Sequence, residues 1–347
     1  MLLPYLCCAG GRRGKKKGEE HGSGAMRRVR IVAELECGDP DDMITLAWLA
    51  GNPRVDLVGV CMVPGTTMQV SIAAQVLRKV YGDGDKKQMP PIASCNPNHT
   101  SKKSGKKVDC VSGWHTKPLE RQGAGLNPTH RDPDMTPYEL YMQTSPDVVI
   151  TGAPPKGLAQ AMQEHFERKS SGSGTKSLHI PLWVCQGGFA GDSVVPAEHR
   201  LAKFEGKEVC PTYNLGGGLG EAKLLFSEDT KTLIPRIRLV SKNVCHGVVY
   251  DRKFHEYLKE NINGSSSLKF IWDAMDAYLR KRKSGKKLHD PLAAAVCLDS
   301  TVCEYAQAVP YQVKGSWGSR LDNSQKRFDI AISVNMDKFR KVFAYRS

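Results

Sequence analysis

Between Val29 and Ser94 the chain alternates between short apolar runs and longer segments of helical spacing, and this pattern constrains its fold more than any other feature. Residues 29–35 (VRIVAEL) read as a buried strand. A helix follows from Asp42 to Ala50 and is broken by Asn52-Pro53. Residues 55–63 (VDLVGVCMV) read as a second strand closed by Pro64-Gly65. A helix from about Met68 to Tyr81 and a short strand at Pro90–Ser94 come next. Such alternation predicts an α/β fold with a mostly parallel central sheet and helices on both faces.

The pattern resumes with strands at Asp147–Thr151 and Ile180–Cys185, separated by a helix at about Gly157–Arg168. Helices are expected at 252–262, 267–282 and 291–299, then strands near 308–314 and 328–334 and a closing helix. Residues 95–137, rich in Lys, Gly, Pro and Asn, read as a long loop, either functional or disordered. No internal repeat is present. The expected organisation is a flexible basic tail at 1–28 and one domain at 29–347.

Charge enters the argument through its location. The net charge is +14, but residues 1–28, the lysines at 102–107 and the run RKRKSGKK at 280–287 contribute +5, +4 and +6. The remainder is near neutral. All three runs sit among Gly and Ser and read as solvated loops and tails. Loose attraction to polyanions is the competing reading, which keeps open a nucleic-acid-associated protein that uses basic loops. No RNP-like aromatic motif, zinc knuckle or recognition-helix pattern accompanies them. Eleven cysteines show no CxxC pair, which suggests a reducing, cytoplasmic setting. Cys185, Cys210, Cys245 and His246 lack the paired spacing of a zinc site. No apolar run approaches the roughly 20 residues of a membrane span. Cys7-Cys8 beside a basic run is a combination that lipid anchoring would use, and a short organelle-targeting segment is a further reading.

Chemistry concentrates in two segments. In Glu34-Leu-Glu36-Cys-Gly-Asp39-Pro-Asp41-Asp42, five carboxylates fall within nine residues, directly after a strand. Ligands of parallel α/β sheets bind beyond the carboxyl ends of strands. Crowded carboxylates repel, and a hard cation such as Ca2+, with about 6–8 oxygen ligands, removes the conflict. Capping of the next helix by Asp39 or Asp41 accounts for one or two acids, not five. The second segment is Leu288-His289-Asp290-Pro291, opening an apolar helix. Taken alone, Asp290 reads as an N-cap.

Together, the strand, the acidic loop, the helix, the Gly turn after the second strand and the late His-Asp-Pro resemble the inosine–uridine-preferring nucleoside hydrolases. The resemblance runs from about Val29 to the C-terminus and is strongest at 31–81, 147–160 and 288–299. It implies a Ca2+ ion held by Glu36, Asp42, Asp290 and a backbone carbonyl at Pro155 in Gly152-Ala-Pro-Pro155. Glu36 matches the position that activates water, and His289 the position that protonates a leaving base. Asp41, Thr66, His115 and Asn214 match ribose- and substrate-binding positions. Glu34 and Glu36 stand where the family usually has Asp, Thr66 where it has a ribose-binding Asn, and Thr212 where it has Glu.

What the resemblance implies is hydrolysis of a ribonucleoside to ribose and free base, in nucleoside salvage, by a homodimer or homotetramer. Trp114, Tyr213 and Trp272 are candidates to stack on the base. A His beside Asp290 is expected to have a raised pKa. The altered ribose contacts support a second reading, a nucleoside or ribosyl-ligand binder on the same fold without turnover.

Overall fold

The computed structural model describes residues 27–82, 89–101, 103–112, 126–173, 176–324 and 326–346. The basic tail and Trp114-His115 lie outside the described residues. Twelve strands fall within them: β1 (Val29–Leu35), β2 (Val55–Met62), β3 (Ile92–Ser94), β4 (Val148–Thr151), β5 (Leu182–Gln186), β6 (Val209–Cys210), β7 (Ile237–Val240), β8 (Val249–Tyr250), β9 (Lys286–Lys287), β10 (Cys303–Val313), β11 (Ser316–Leu321) and β12 (Phe328–Val334). Ten of them form one sheet in the order β3-β2-β1-β4-β5-β7-β12-β10-β11-β6. From β3 to β12 neighbouring strands run parallel, whereas β10, β11 and β6 join antiparallel at the far edge. The expected α/β fold with a mostly parallel sheet is therefore observed.

Both faces of the parallel part are covered, so its strands are apolar on both sides. Ile31, Ala33 and Leu35 of β1 point into a core shared with the helices Pro40–Gly51, Thr67–Tyr81, Ser266–Lys281 and His289–Leu298. Val32 of the same strand points into the second core, with Leu158 and Met162 of the helix Lys156–Ser170. Trp272, expected as a base-stacking candidate, instead lies flat on His255, with ring centroids 4.7 Å apart and planes within 12°. Among the described residues no helix is long and apolar enough to cross a membrane.

Two stretches differ from the sequence expectation. β7 runs through Ile237-Arg238-Leu239-Val240 in the middle of the sheet, where Arg238 interrupts the apolar run but is buried and pairs with Asp329 at 3.6 Å. The basic run at 280–287 is not wholly a solvated loop. Gly285, at φ +80°, turns the chain inward, and a Cβ there would come within 2.7 Å of the Tyr250 carbonyl oxygen. Beyond that turn Lys286 is only 5 % exposed. Its ammonium pairs with Asp39 and Asp41, far away in sequence, whereas Arg280 pairs with Asp276 one turn back on its own helix.

Candidate active site

The carboxyl ends of β1, β4 and β5 open onto one cavity of about 330 Å³. Glu36, Asp39, Asp41 and Asp42 reach it from the loop and helix start after β1. Gly152 follows β4, Gln186 ends β5, and Tyr213 and Asn214 sit on a short helix above. His289 and Asp290 complete the wall from the start of the helix His289–Leu298.

Neither acidic segment acts as a simple helix cap. Asp39 occupies the N-cap position of its helix but makes no side-chain capping bond. Asp290 lies inside its helix, behind Leu288 at the cap. Asp41 instead ties the two segments together. Its Oδ2 accepts from the backbone N–H of His289 at 3.0 Å and of Asp290 at 3.4 Å. Its Oδ1 lies 3.1 Å from the Lys286 ammonium, which also reaches Asp39 at 2.9 Å. Asp42 Oδ1 accepts from the Glu36 N–H at 2.9 Å and so fixes the loop behind Glu36.

Five carboxylates share this cavity with one ammonium, and the charge imbalance shows in their proton affinities. Burial, then Asp41 and Asp39, pushes Glu36 up to about 7, against the Tyr213 hydroxyl. Asp42 is raised well above the usual carboxylate range by burial and by Asp290 and Glu36. Asp290 is likewise raised well above its ordinary value, by burial and Asp41. Burial works to raise Asp41 too, yet Lys286 and the His289 N–H hold it below its ordinary value. One oxygen each from Asp41, Asp42 and Asp290 lies within 4.8 Å of the others, and all three residues are buried. A buried all-oxygen, multiply anionic set is the donor chemistry of a hard divalent cation. Among the described residues this is the only such group; Cys185, Cys210, Cys245 and His246 do not gather into one.

The remaining expected residues fall in different places. Asn214 is buried against the cavity, its amide near the Gly152 carbonyl at 3.0 Å and the Gln186 side chain at 2.7 Å. Tyr213 lines the cavity and is 73 % exposed, and among the described residues it is the aromatic candidate placed to meet a ligand. His115 lies outside the described residues. Thr66 is not a lining residue: its hydroxyl caps the helix Thr67–Tyr81, accepting from Gln69 N, and donates to the Asp109 carbonyl at 2.6 Å. A Thr following a Gly turn does what helix starts favour. Pro155 is likewise absent from the cavity wall. It is the N-cap of the helix Lys156–Ser170, and its carbonyl accepts from Ala159 N at 3.2 Å. Gly152 is the residue of that turn that reaches the cavity.

His289 departs from expectation in its proton affinity. Burial outweighs Asp41 beside it, and Lys286 and Lys287 add to the effect, so the imidazole is lowered to about 4. Its Nδ1 lies 3.1 Å from the Cys245 Sγ. Sequence reading missed Lys286 and Gln186, and it weighed Cys245 only as a zinc ligand. The available signal for Lys286 was Ser284-Gly285, which divides the basic run just before His289-Asp290.

Comparison with known proteins agrees with this geometry at the level of fold. No family model matches the chain. A plant nucleoside hydrolase superposes with a TM-score of 0.62 at 16 % identity, covering 91 % of this chain and 98 % of that one. A purine-preferring ribonucleoside hydrolase from Gardnerella vaginalis gives 0.57 at 16 %, covering 91 % and 97 %. A type III effector protein, XopQ, complexed with adenosine diphosphate ribose gives 0.57 at 13 %, covering 92 % and 93 %. In sequence, an uncharacterized protein of Aquifex aeolicus is 25 % identical over 150 residues, which is 43 % of this chain and about half, 49 %, of that relative. The chain has the nucleoside-hydrolase fold.

Proposed function

We propose that this protein hydrolyses the N-glycosidic bond of ribonucleosides at the acidic cavity, with Ca2+ held by Asp42, Asp290 and Asp41 or Glu36. The observation that carries the reading is the meeting of the 36–42 loop with His289-Asp290 at the carboxyl ends of parallel strands, in a nucleoside-hydrolase fold. The bound cation would lower the pKa of a coordinated water and orient the ribose diol. The remaining work falls to the chain's own groups. Glu36, crowded by Asp41 and Asp39 at the cavity wall, is placed to take a proton from the attacking water. Its position beside the other acids also favours the positive charge that grows on the sugar as the C1′–N bond breaks. The bond's electron pair leaves with the base nitrogen, the water oxygen bonds to C1′, and Glu36 takes the water proton, which then passes through solvent to the departed base and restores the carboxylate. Asn214 supplies an amide for a ribose hydroxyl. His289 is neutral near pH 7, which suits hydrogen-bond donation to the leaving base rather than a standing positive charge.

A homodimer or homotetramer in a reducing compartment completes the proposal. The test is a nucleoside panel incubated with chelator-stripped and Ca2+-loaded protein, read as free ribose. Release of ribose that depends on Ca2+ is expected. No ribose from any nucleoside, with no Ca2+ bound at millimolar concentration by calorimetry, overturns it.

A second reading has its own support. Lys286 already neutralises Asp39 and Asp41, so part of the acidic set is committed before any ligand arrives. The likeness to an effector complexed with adenosine diphosphate ribose points the same way. A binder of ribosyl ligands without turnover would show affinity in calorimetry and no ribose release.

A further inference from the structure

Beside the acidic cavity lies a cluster of opposite sign. His246 packs against His289, ring centroids 4.9 Å apart. The Lys203 ammonium is 3.0 Å from His246 Nδ1, and the Lys287 ammonium is 3.1 Å from the same atom. Lys242, from the same short helix as Cys245, donates to the Pro211 carbonyl at 2.7 Å. Phe204 supports the group: its ring meets His246 edge-on at 5.3 Å and carries Lys203 at 4.8 Å and Lys207 at 5.8 Å. Among the described residues, Lys203, Lys207, Lys242 and Lys287 form no ion pair with a carboxylate.

The donor count does not balance. A neutral imidazole nitrogen has one lone pair and accepts one hydrogen bond, yet two ammonium groups converge on it. Like charges this close repel. Lys203 is accordingly lowered by burial and by Lys287 and Lys242, and His246 is lowered to about 3 by burial, His289 and the lysines. An acceptor with several oxygens and negative charge satisfies every donor and removes the repulsion. A phosphoryl group is such an acceptor.

We propose that Lys203, Lys242 and Lys287 form a phosphate subsite adjoining the acidic cavity, so that the ligand is a phosphorylated ribosyl compound of the nucleoside-phosphate class. The carboxylates take the uncharged ribosyl hydroxyls, and His289 and His246 form the wall between the two ends. A phosphate set directly among the carboxylates would be repelled. Placed on the His246 side, it is attracted, and the charge pattern therefore orients the ligand. This inference deepens the hydrolase reading and rests on the same cavity, but not on turnover.

The test uses calorimetry on the full Ca2+-loaded chain with adenosine, adenosine 5′-monophosphate, adenosine 5′-diphosphate, inorganic phosphate and a short oligoribonucleotide. Base release is followed separately. The phosphorylated nucleosides are expected to bind at least about tenfold more tightly than adenosine. The double substitution Lys203→Ala/Lys287→Ala should erase that advantage and change adenosine affinity less than about twofold, and Lys203→Arg/Lys287→Arg should restore most of it. Phosphate-dependent binding without base release would support the subsite while overturning the hydrolase reading. Equal affinity for adenosine and its phosphates would overturn the subsite and leave that reading intact. Inorganic phosphate binding as tightly as the monophosphate would show an anion site unconnected with the cavity, and tighter binding of the oligoribonucleotide would assign the lysines to nucleic acid. Either result overturns the proposal.

Discussion

Glu34 and Glu36 stand two residues apart at the end of β1, and their surroundings could hardly differ more. The Glu34 carboxylate is fully buried and collects three donors: Gly157 N at 2.8 Å, Leu158 N at 2.9 Å and the Tyr141 hydroxyl at 3.0 Å. It sits at the start of the helix Lys156–Ser170, where free N–H groups and the helix dipole favour an anion, although burial outweighs them and raises it to about 7, as it does Glu36. Glu36 meets one hydroxyl, from Tyr213, and the charge of Lys156, but burial and the crowding by Asp41 and Asp39 prevail. An unbroken strand would put both side chains on one face. β1 ends at Leu35, so only Glu34 obeys that period. The difference teaches that an acidic cluster in sequence divides into acids that hold structure and acids that lack partners, and only the second kind needs a ligand.

The sharpest test of this division is Asp42→Asn, on the crowded side, where one backbone N–H faces several carboxylates. Activity should fall by about a thousandfold, roughly 4 kcal/mol of transition-state stabilisation, because a neutral amide is a poor ligand for a hard cation. The same change should abolish the rise in thermal midpoint on adding Ca2+, which at a hundredfold excess over the dissociation constant corresponds to about 2.7 kcal/mol in the wild type. A midpoint that still rises would place the cation elsewhere.

Glu34→Ala probes the other side. It strands two helix N–H groups and a tyrosine hydroxyl in the interior and should destabilise the fold by about 3–4 kcal/mol in urea unfolding. Glu34→Gln, which keeps an acceptor, should lose less and retain the Ca2+-induced stabilisation. Loss of Ca2+ binding in the glutamine variant would merge the two environments that the geometry separates.

Lys286→Met comes next. It leaves Asp41 buried without its cation, so the Ca2+-free protein should lose about 2 kcal/mol, and added Ca2+ should recover more stability than in the wild type. An unchanged Ca2+ response would mean that the ammonium and the cation do not act on the same acids. His289→Ala should then slow nucleosides by about tenfold to a hundredfold, with little effect on a nitrophenyl riboside, whose leaving group needs no proton. Equal losses on both substrates would show that His289 acts by holding the helix start.

The smallest effect is expected from Glu36→Asp. Gly38 already accommodates the longer side chain, since a Cβ there would lie 2.9 Å from Glu36 Oε1. Shortening it withdraws the carboxylate from Tyr213, and turnover should fall by roughly fivefold, or about 1 kcal/mol. A gain would show that the loop tolerates either length.

Much of the frame was legible in the chain. Apolar runs flanked by Gly and Pro marked β1, β2 and β4, and Asp290 behind His289 marked the distal wall of the cavity. Other features were hidden for physical reasons. Arg238 broke the pattern of β7 because its partner, Asp329, lies on a strand far along the sequence. Thr66 fitted a binding turn and a helix cap equally well, and only the hydrogen bonds separate the two. Lys286 resembled its solvated neighbours because local composition carries no record of Asp39 and Asp41, which meet it only after folding. The expectation for His289 considered the acid next to it and missed the lysines and burial that prevail.

The bond from the His289 N–H to Asp41 spans 248 residues, and this separation has a bearing on how the protein is made. The acids near the N-terminus leave the ribosome long before Lys286 and Asp290 do. Until then they lack both the ammonium that neutralises two of them and the third carboxylate of the buried cluster. Closing so long a loop is slow and comes late in assembly. A nascent or truncated chain that stops short of residue 286 therefore lacks a complete acidic cavity. The site appears in one step, once the chain has returned to its beginning.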